Sequence, residues 1–331
     1  MSAADFFRFL HGQLLVKLPS PTESYAGKTV IVTGSSAGLG KEAARHYARL
    51  GVGQLILAVR NLQKGVGVKE DIEATTQCGK DVVRLWKLNM ASYDSVKQFA
   101  ERVNRDLDRV DIVIANAGLT PTKYVLAERD DSAITVNVVS TFLLLALLMP
   151  KLKATAAQTS ARPTFTIVTS EGHRTVKFNL AAVPEGQIFT QLNNKERVDK
   201  DGQDQYCVSK LMQIMCLREL VKQHPASALP VTINSVNPGL CHSRELTAKL
   251  DAIVFRAFMA VVARSTEEGS RTLVHAAGQG VETHGKYLSE CHVANPSSFL
   301  ETEDGKRVQE QVWVELSRKL EEIQPGVMNN L

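Results

Sequence analysis

The chain has 331 residues, of which 44% are hydrophobic and 22% charged, and its formal net charge is +4. This length and apolar content allow a sizeable core in one large or two ordinary domains. The basic residues are scattered along the sequence, which argues against the clustered positive charge of a nucleic-acid binding surface. Five cysteines without a CxxC pair favour a reducing compartment over a disulfide framework or a zinc site.

Targeting and membrane signals are not evident in the sequence. The N-terminus lacks the basic start and the cleavage signature of a secretory signal peptide. The longest apolar run, Phe142–Met149, is too short to cross a bilayer as a helix. Three histidines lack the spacing of metal ligands, namely His173, His242 and His292. We therefore expect a cytoplasmic protein with no integral membrane span and no metal site.

An N-terminal extension, residues 1–27, is predicted to contain one helix. Pro19 and Pro21 end it, because proline cannot supply the backbone donors of a helix interior. The helix either packs on the domain or on a partner subunit, or it lies in a membrane interface. We favour packing, because few basic residues accompany the apolar face. The apolar side chains of that face are Phe6, Phe7, Leu10, Leu14 and Leu15.

A strand, a glycine-rich turn and a helix come next, and the sequence is organised around them. Thr29–Val32 is a short β-branched run typical of a buried parallel strand, and Leu39–Leu50 has helical periodicity. Glycine permits positive φ and close backbone approach, while the free N–H groups of a helix N-terminus attract anions. The pattern predicts a diphosphate site, and the alternative is a tight turn without a ligand. The glycines have GxxxGxG spacing: Gly34, Gly38 and Gly40.

The second strand, Gln54–Val59, is followed directly by Arg60. Dinucleotide-binding folds place an acid near this point when they bind the ribose 2′-hydroxyl, whereas a basic residue suits a 2′-phosphate. No Asp or Glu occurs between Gln54 and Lys69. The sequence therefore predicts NADP(H) as the cofactor, the alternative being that Arg60 is an ordinary surface arginine.

Strands and helices continue to alternate along the rest of the chain. This alternation predicts an α/β fold, a single Rossmann-type doubly wound parallel sheet with helices on both faces, over residues 28–331. The further predicted strands are Val82–Leu88, Val110–Ala115, Pro163–Thr169, Val231–Val236 and Gly285–Ser289. The further predicted helices are Asn61–Cys78, Ser92–Leu107, Asp131–Leu152 with its leucine-rich run ended by Pro150, Arg244–Ala263 and Val308–Ile323.

A tyrosine and a lysine at i, i+4, Tyr206 and Lys210, would emerge from one face of a helix. A tyrosine with an ordinary pKa near 10 is a poor acid–base group at neutral pH. A neighbouring ammonium group favours the phenolate form and makes the tyrosine useful as a general acid or base. The alternative is an ordinary pair on an amphipathic helix.

Six motifs in order resemble those of the short-chain dehydrogenase/reductase family. They span the chain from Lys28 to about Ser289. Within the family the sequence is similar to the retinol-dehydrogenase-like branch and its fungal members, because VRN follows the second strand and SEGH the fifth. The motifs are Thr33-Gly34-Ser35-Ser36-Ala37-Gly38-Leu39-Gly40, Asn116-Ala117-Gly118, Asn137, Ser170, Tyr206-Cys207-Val208-Ser209-Lys210 and Pro238-Gly239.

The resemblance implies a catalytic set of Asn137, Ser170, Tyr206 and Lys210. Ser170 would bind the substrate oxygen, and Asn137 would hold a water that relays protons to Lys210. Together with Arg60, the resemblance implies cofactor contacts at Gly34, Ser36, Ala37, Gly38, Leu39, Gly40, Asn89, Met90, Asn116, Ala117, Gly118, Tyr206, Lys210, Pro238, Gly239, Leu240 and Ser243.

Several positions depart from the family pattern, but none removes a reacting group. Asn89 replaces the usual acid after the third strand, and an amide makes the same contact without charge. Ala115 replaces the first asparagine of the family's NNAG. Ser243 stands where a threonine is common, and it still offers a hydroxyl to the nicotinamide carboxamide.

Three segments are added to the predicted sheet: an insertion at residues 171–205, a substrate-wall helix at 244–263 and a C-terminal helical tail at 290–331. The insertion and the wall helix are expected to form the mouth of the pocket, as mobile segments that become ordered with ligands. The apolar wall favours a hydrophobic small-molecule substrate. Many family members form dimers through the helices of Phe142–Met149 and Tyr206, so a homodimer is expected unless the insertion obstructs it.

The sequence as a whole predicts an NADP(H)-dependent oxidoreductase that interconverts a carbonyl and an alcohol on a lipophilic small molecule, in fungal secondary metabolism. Tyr206 would transfer the proton. Two alternatives stay open on the same fold: a non-redox isomerase or cyclase, and an NADP-bound regulatory protein.

Overall fold

The strands alternate with helices as the sequence predicts. The computed structural model describes residues 3–242, 259 and 261–331. The strands in these residues are β1 (Thr29–Thr33), β2 (Gln54–Val59), β3 (Val83–Lys87), β4 (Ile112–Ala115), β5 (Leu126–Ala127), β6 (Asp130–Asp131), β7 (Thr164–Val168), β8 (Thr232–Asn237), β9 (Tyr287–Ser289) and β10 (His292–Ala294).

Eight of these strands form one sheet in the order β10-β9-β8-β7-β4-β1-β2-β3, while β5 and β6 form a separate hairpin. Each neighbouring pair in the large sheet is parallel except β9 and β10. The carboxyl ends of the parallel strands therefore meet at one edge, where the turns after β1, β4, β7 and β8 lie together.

Helices cover both faces of the sheet, which confirms the predicted doubly wound fold. The main helices in the described residues are α1 (Ala3–Leu15), α2 (Gly38–Arg49), α3 (Leu62–Thr76), α4 (Tyr93–Asp106), α5 (Ser132–Thr159), α6 (Ile188–Leu192), α7 (Lys195–Lys200), α8 (Gly202–Gln223), α9 (Thr266–Gly278) and α10 (Glu303–Ile323). Strand β1 shows the two-sided burial, because Ile31 enters one core while Val30 and Val32 enter the other.

One core lies under α4, α5, α8 and α10, and the other lies under α2, α3 and α9. The C-terminal helix α10 closes the first core over α5 and α8. Its Trp313 ring meets Phe142 of α5 edge to face, with 6.3 Å between ring centroids. Its Gln309 donates a hydrogen bond from Nε2 to Glu219 Oε1 of α8 at 2.7 Å.

Helix α5 contains Pro150 and extends past its predicted end at Leu152. Proline in a helix interior removes one hydrogen bond and costs roughly 3 kcal/mol. The residues beyond it offset the cost by tertiary packing, since Leu152 and Thr155 are buried. The Thr155 hydroxyl also accepts a hydrogen bond from Val110 N at 2.9 Å. Packing against Val110, just before β4, thus stabilises the helix as far as Thr159.

The length and apolar character of α5 would allow it to cross a membrane, by composition alone, among the described helices. However, 94% of its most apolar 18-residue stretch is buried inside the protein. The apolar run that the sequence shows at Phe142–Met149 is therefore the centre of a core helix.

The insertion at residues 171–205 is more regular than its polar sequence suggests. It contains α6 and α7, and its apolar side chains enter the first core. The backbone N–H groups of Ile188 and Phe189 donate to the Glu315 carboxylate of α10, each at 3.1 Å. The insertion is thus attached to the C-terminal tail. Its buried apolar residues are Leu180, Val183, Ile188, Phe189, Leu192 and Val198.

Helix α9, which packs on β7 and β8 from the second core, is absent from the sequence prediction. The predicted wall helix at 244–263 lies outside the described residues, apart from 259 and 261–263, and Ser243 lies outside them too.

We predict that Leu192→Ala lowers the free energy of unfolding by about 3 kcal/mol, because truncating a buried leucine removes apolar contacts and leaves a cavity. Urea denaturation measures the effect. Leu126→Ala is the control, since Leu126 is 60% exposed and its truncation should change stability by less than about 0.5 kcal/mol. A loss below 1 kcal/mol at Leu192 would show that the insertion is not an integral part of the core.

Candidate active site

The turns after β1 and β4 approach each other so closely that two positions require glycine. A Cβ on Gly34, whose φ is +66°, would lie 2.8 Å from Ala117 Cα. A Cβ on Gly40 would lie 2.5 Å from Asn116 Nδ2. Thr33 links the turns, because its carbonyl accepts from Asn116 Nδ2 and its hydroxyl accepts from Ala117 N, both at 2.9 Å.

The N-terminus of α2 has the properties of an anion site. Its N-cap residue, Ala37, offers no side-chain hydrogen bond, and the first turn carries no acidic residue. Gly38 has φ +59°, and no atom lies within 4 Å of the position its Cβ would take. Ser36 and Leu39 flank this open space and are half-buried. Unsatisfied N–H groups at a helix N-terminus favour phosphate, so the predicted diphosphate site fits this turn.

A cleft of about 380 Å³ lies beyond the end of β2, lined by Arg60, Asn61, Leu62, Gln63 and Lys87. Lys87 ends β3 and is the register partner of Val59, which precedes Arg60. Neither cation forms an ion pair within the part of the chain that the structure describes. The sequence pattern predicts Arg60 but not Lys87, because only the pairing of β2 with β3 brings the two cations together.

Asn89 and Met90 form the turn that follows β3. The Asn89 side chain accepts a hydrogen bond from Ala91 N at 3.2 Å, and its backbone N–H donates to Ser95 Oγ at 2.9 Å. Met90 is buried. The amide at position 89 thus stabilises its own turn, next to the strand end that carries Lys87.

Lys210 is a buried cation beneath Tyr206 on the same face of α8. Its Nζ lies 5.6 Å from the centroid of the Tyr206 ring and donates to the Val168 carbonyl at 2.8 Å. Burial lowers the pKa of Lys210 to about 7, because the charged form loses solvation. The predicted pair is therefore formed, with its ammonium group held at the end of β7.

Ser170 lies beside Tyr206, as the predicted catalytic set requires. A Cβ on Gly172 would lie 3.4 Å from Ser170 Oγ and 3.7 Å from Tyr206 Cε1, so both atoms border the same point. The Ser170 hydroxyl oxygen accepts a hydrogen bond from Gly172 N at 3.1 Å. Gly172 has no side chain, so nothing separates the serine from the tyrosine. The sequence prediction did not include Gly172 in the site.

His173 supports Ser170 from behind. Its Nδ1 lies 2.7 Å from the Ser170 carbonyl, and its Nε2 accepts from Ser297 N at 2.9 Å. Because Nε2 is an acceptor, the proton of the neutral ring is on Nδ1. Burial lowers the pKa of His173 to about 4, so the ring is neutral at pH 7. The SEGH sequence, which ends at His173, could have indicated this role, but the sequence prediction considered His173 only as a metal ligand.

Asn137 lies in a π turn, Thr135–Val139, within α5. Its Nδ2 donates to Leu119 O at 3.0 Å and to Ser209 Oγ at 2.9 Å. A Cβ on Gly118 would lie 3.2 Å from Asn137 Oδ1 and 3.5 Å from Lys210 Nζ. Asn137 and Lys210 therefore face one gap beside the exposed Gly118, and π turns are frequent at such functional positions.

The Pro238–Gly239 turn lies at the end of β8, next to Ser170. Asn237 joins the two turns, because its Oδ1 accepts from both Gly239 N and Glu171 N at 3.1 Å. Gly239 has φ +80°, a conformation that other residues rarely adopt. Leu240 follows directly. The described members of the predicted set thus lie at the carboxyl edge of the sheet.

We predict that the folded, cofactor-free protein gains about 2 kcal/mol of stability between pH 7 and pH 9 relative to Lys210→Met. The unfolded chain keeps this lysine protonated up to about pH 10.4, whereas the folded protein releases the proton near pH 7. The unfolded state then binds more protons over this window, so stability rises with pH. Urea denaturation of both proteins at each pH measures the difference; parallel curves would show that Lys210 is not desolvated.

The chain is similar in sequence to known short chain dehydrogenases. Residues 28–163 match the family model for short chain dehydrogenase. The chain is 53% identical over 322 residues to the short chain dehydrogenase/reductase dmxR8 of Cryptosporiopsis sp., covering 97% of this chain and 99% of that protein. It is 41% identical over 287 residues to the short chain dehydrogenase atnD of Emericella nidulans, covering 85% and 89%.

Solved structures share the fold at lower identity. A short chain dehydrogenase from Shigella flexneri complexed with NADP has a TM-score of 0.59 and 20% identity, covering 82% of this chain and 99% of that one. The Pseudomonas aeruginosa RhlG/NADP complex has a TM-score of 0.62 and 19% identity, covering 80% and 95%. With the relatives above, these findings establish that the chain is an oxidoreductase of the short-chain dehydrogenase/reductase family.

Proposed function

We propose that this enzyme uses NADP(H) to interconvert a carbonyl and an alcohol on a lipophilic small molecule in fungal secondary metabolism. The observation that carries the reaction type is the convergence of Ser170, Tyr206 and Lys210. Ser170 Oγ and Tyr206 Cε1 both lie close to Gly172, and the Lys210 ammonium group lies under the Tyr206 ring. A cytoplasmic location fits the five free cysteines, which form no disulfide.

Each residue of the set has a separate task in the proposed reaction. The bound nicotinamide supplies or accepts the hydride. Ser170 orients the substrate oxygen through its hydroxyl group, and Tyr206 donates or accepts the proton at that oxygen. Lys210 stabilises the phenolate that forms, and the interaction is strong because the ammonium group is buried in a low-dielectric environment. Asn137 faces the same gap beside Gly118 as Lys210, where it would hold a water that relays protons to Lys210.

The preference for the phosphorylated cofactor rests on two cations at one sheet edge. Arg60 and Lys87 line the same cleft, which no carboxylate lines. A 2′-phosphate carries charge that both side chains could bind, whereas an unphosphorylated ribose could not. The NADP complexes of the structural neighbours support this choice.

A lipophilic substrate is proposed from the apolar sequence of residues 244–263, which follow the Pro238–Gly239 turn. The fungal sources of the similar dehydrogenases support a place in secondary metabolism. Screening ketones and aldehydes of increasing hydrophobicity, with NADPH absorbance as the signal, would define the substrate class.

We predict that Arg60→Ala weakens NADPH binding by 10- to 100-fold and leaves NADH binding nearly unchanged, because a charge-assisted hydrogen bond contributes about 1.5–3 kcal/mol. Lys87→Ala should give a smaller loss of the same kind. Dissociation constants for both cofactors test this. Arg84→Ala, an exposed cation on β3 that does not line the cleft, is the control. Equal NADPH and NADH affinity in the wild type would contradict the assignment.

We predict that Tyr206→Phe lowers carbonyl reduction by at least about a thousandfold while NADPH affinity stays within about threefold, because only the proton-transferring hydroxyl is lost. Steady-state rates and cofactor titrations measure the two effects. Lys210→Ala should damage both. Substantial reduction by Tyr206→Phe would instead favour the isomerase, cyclase or regulatory interpretation.

A further inference from the structure

Gln13 of the N-terminal helix α1 binds both backbone polar groups of Leu240, the residue after Gly239, as a neighbouring β-strand would. Gln13 Oε1 accepts from Leu240 N at 3.0 Å, and Gln13 Nε2 donates to Leu240 O at 2.9 Å. The same Nε2 donates to Val262 O at 3.0 Å. Gln13 is only 9% exposed, so these contacts are formed with little competition from water.

Arg264 attaches the same helix from the other side. The guanidinium of this buried residue donates to the Gly12 carbonyl and, at 3.3 Å, to Glu290 Oε1. Its backbone N–H donates to Leu240 O at 2.9 Å, and its carbonyl accepts from His242 N at 3.0 Å. Gln13, Leu240, Val262 and Arg264 together form what we call the α1 staple, which joins residues 240–242 to residues 262–264.

The α1 staple lies in direct contact with the glycine of the Pro238–Gly239 turn. A Cβ on Gly239 would lie 2.4 Å from Gln13 Oε1 and 2.7 Å from Arg264 Nη1. Glycine is therefore required at this position for two reasons, its φ of +80° and the close approach of the staple. Any displacement of Gln13 would change the support of the turn.

The other end of α1 reaches the turn that contains Ser170. Arg8 lies 3.4 Å from Glu171 Oε1, although Arg8 is largely exposed and such a pair adds little stability. Glu171 N in turn shares Asn237 Oδ1 with Gly239 N. Helix α1 therefore contacts both turns at the site, and its strong contact is the buried one at Gln13.

We propose that Gln13 is a positioning residue that fixes the Pro238–Gly239 turn for the nicotinamide half of the cofactor. This inference rests on the proposed NADP(H)-dependent function, and it gives the N-terminal helix a part in cofactor binding. The adenosine half would bind at the cleft lined by Arg60 and Lys87, beyond the carboxyl ends of β2 and β3, and no residue of the staple lines that cleft.

Gln13→Met tests the proposal, because it keeps the side-chain length and removes the three hydrogen bonds. Two probes are titrated: NADPH, and adenosine 2′,5′-bisphosphate, which lacks the nicotinamide half. We expect NADPH affinity to fall roughly tenfold, equivalent to about one net hydrogen bond, and the affinity for the bisphosphate to stay within twofold. Hydrogen exchange at residues 237–242 and 261–265 should accelerate.

Gln309→Met is the matched control. It also removes a hydrogen bond from a buried glutamine, to Glu219 on the C-terminal side of α8, and should destabilise the fold without changing either affinity. Equal weakening of both probes by Gln13→Met, or unchanged NADPH affinity, would overturn the proposal. If wild type binds no NADPH, the proposed function fails, while the exchange rates still show whether Gln13 holds the turn.

Gln13→Glu provides a second variant if Gln13→Met does not fold. A protonated glutamic acid keeps one donor and one acceptor, whereas its carboxylate would face two carbonyl oxygens. Arg264 Nη1 lies close to the same position beside Gly239 and would favour the carboxylate, against the effect of burial. The carboxylate cannot donate to the Leu240 and Val262 carbonyls, so this variant should also lose NADPH affinity at pH 8. Wild-type NADPH affinity in a folded Gln13→Glu protein would count against hydrogen bonding at Gln13 as the cause.

Discussion

The hydrogen bond from the Lys210 ammonium group to the Val168 carbonyl sets the arrangement of the site. A buried cation is costly unless it has a partner, and the end of β7 supplies that partner. Helix α8 must consequently present one particular face to the sheet. Tyr206 lies one turn before Lys210 on that face, and Ser170 follows Val168 by two residues. One contact between a helix and a strand thus brings the reacting groups together.

Local sequence patterns predicted much of this architecture, because strands and helices of a doubly wound sheet have clear periodicity. The glycine turn was also predictable from the sequence, because Gly34 and Gly40 stand where the close approach of two turns leaves no room for a side chain. The continuation of α5 beyond its predicted end at Leu152 was missed because the packing of Thr155 outweighs the local cost of Pro150. The packing of the polar insertion against the core was not predicted, because its few buried apolar residues are separated by polar ones.

The missed site residues share another cause, which is that their partners are distant in sequence. Lys87 gains meaning from strand pairing with Val59, and His173 from a bond to Ser297. Gln13 contacts Leu240 and Val262, which lie 227 and 249 positions further along the chain. No local period reports such contacts. The N-terminal helix and the C-terminal tail nevertheless contact residues close to the reacting groups, Leu240 and His173 respectively.

Helix α10 has a consequence for how this enzyme is assembled. The family resemblance predicts a homodimer interface on the helices of Phe142–Met149 and Tyr206, and the chain's own C-terminal helix contacts both helices through Trp313 and Gln309. A contact made within one chain does not weaken on dilution, unlike an interface between subunits. The stability that α10 gives to the C-terminal half of α8 is therefore independent of protein concentration.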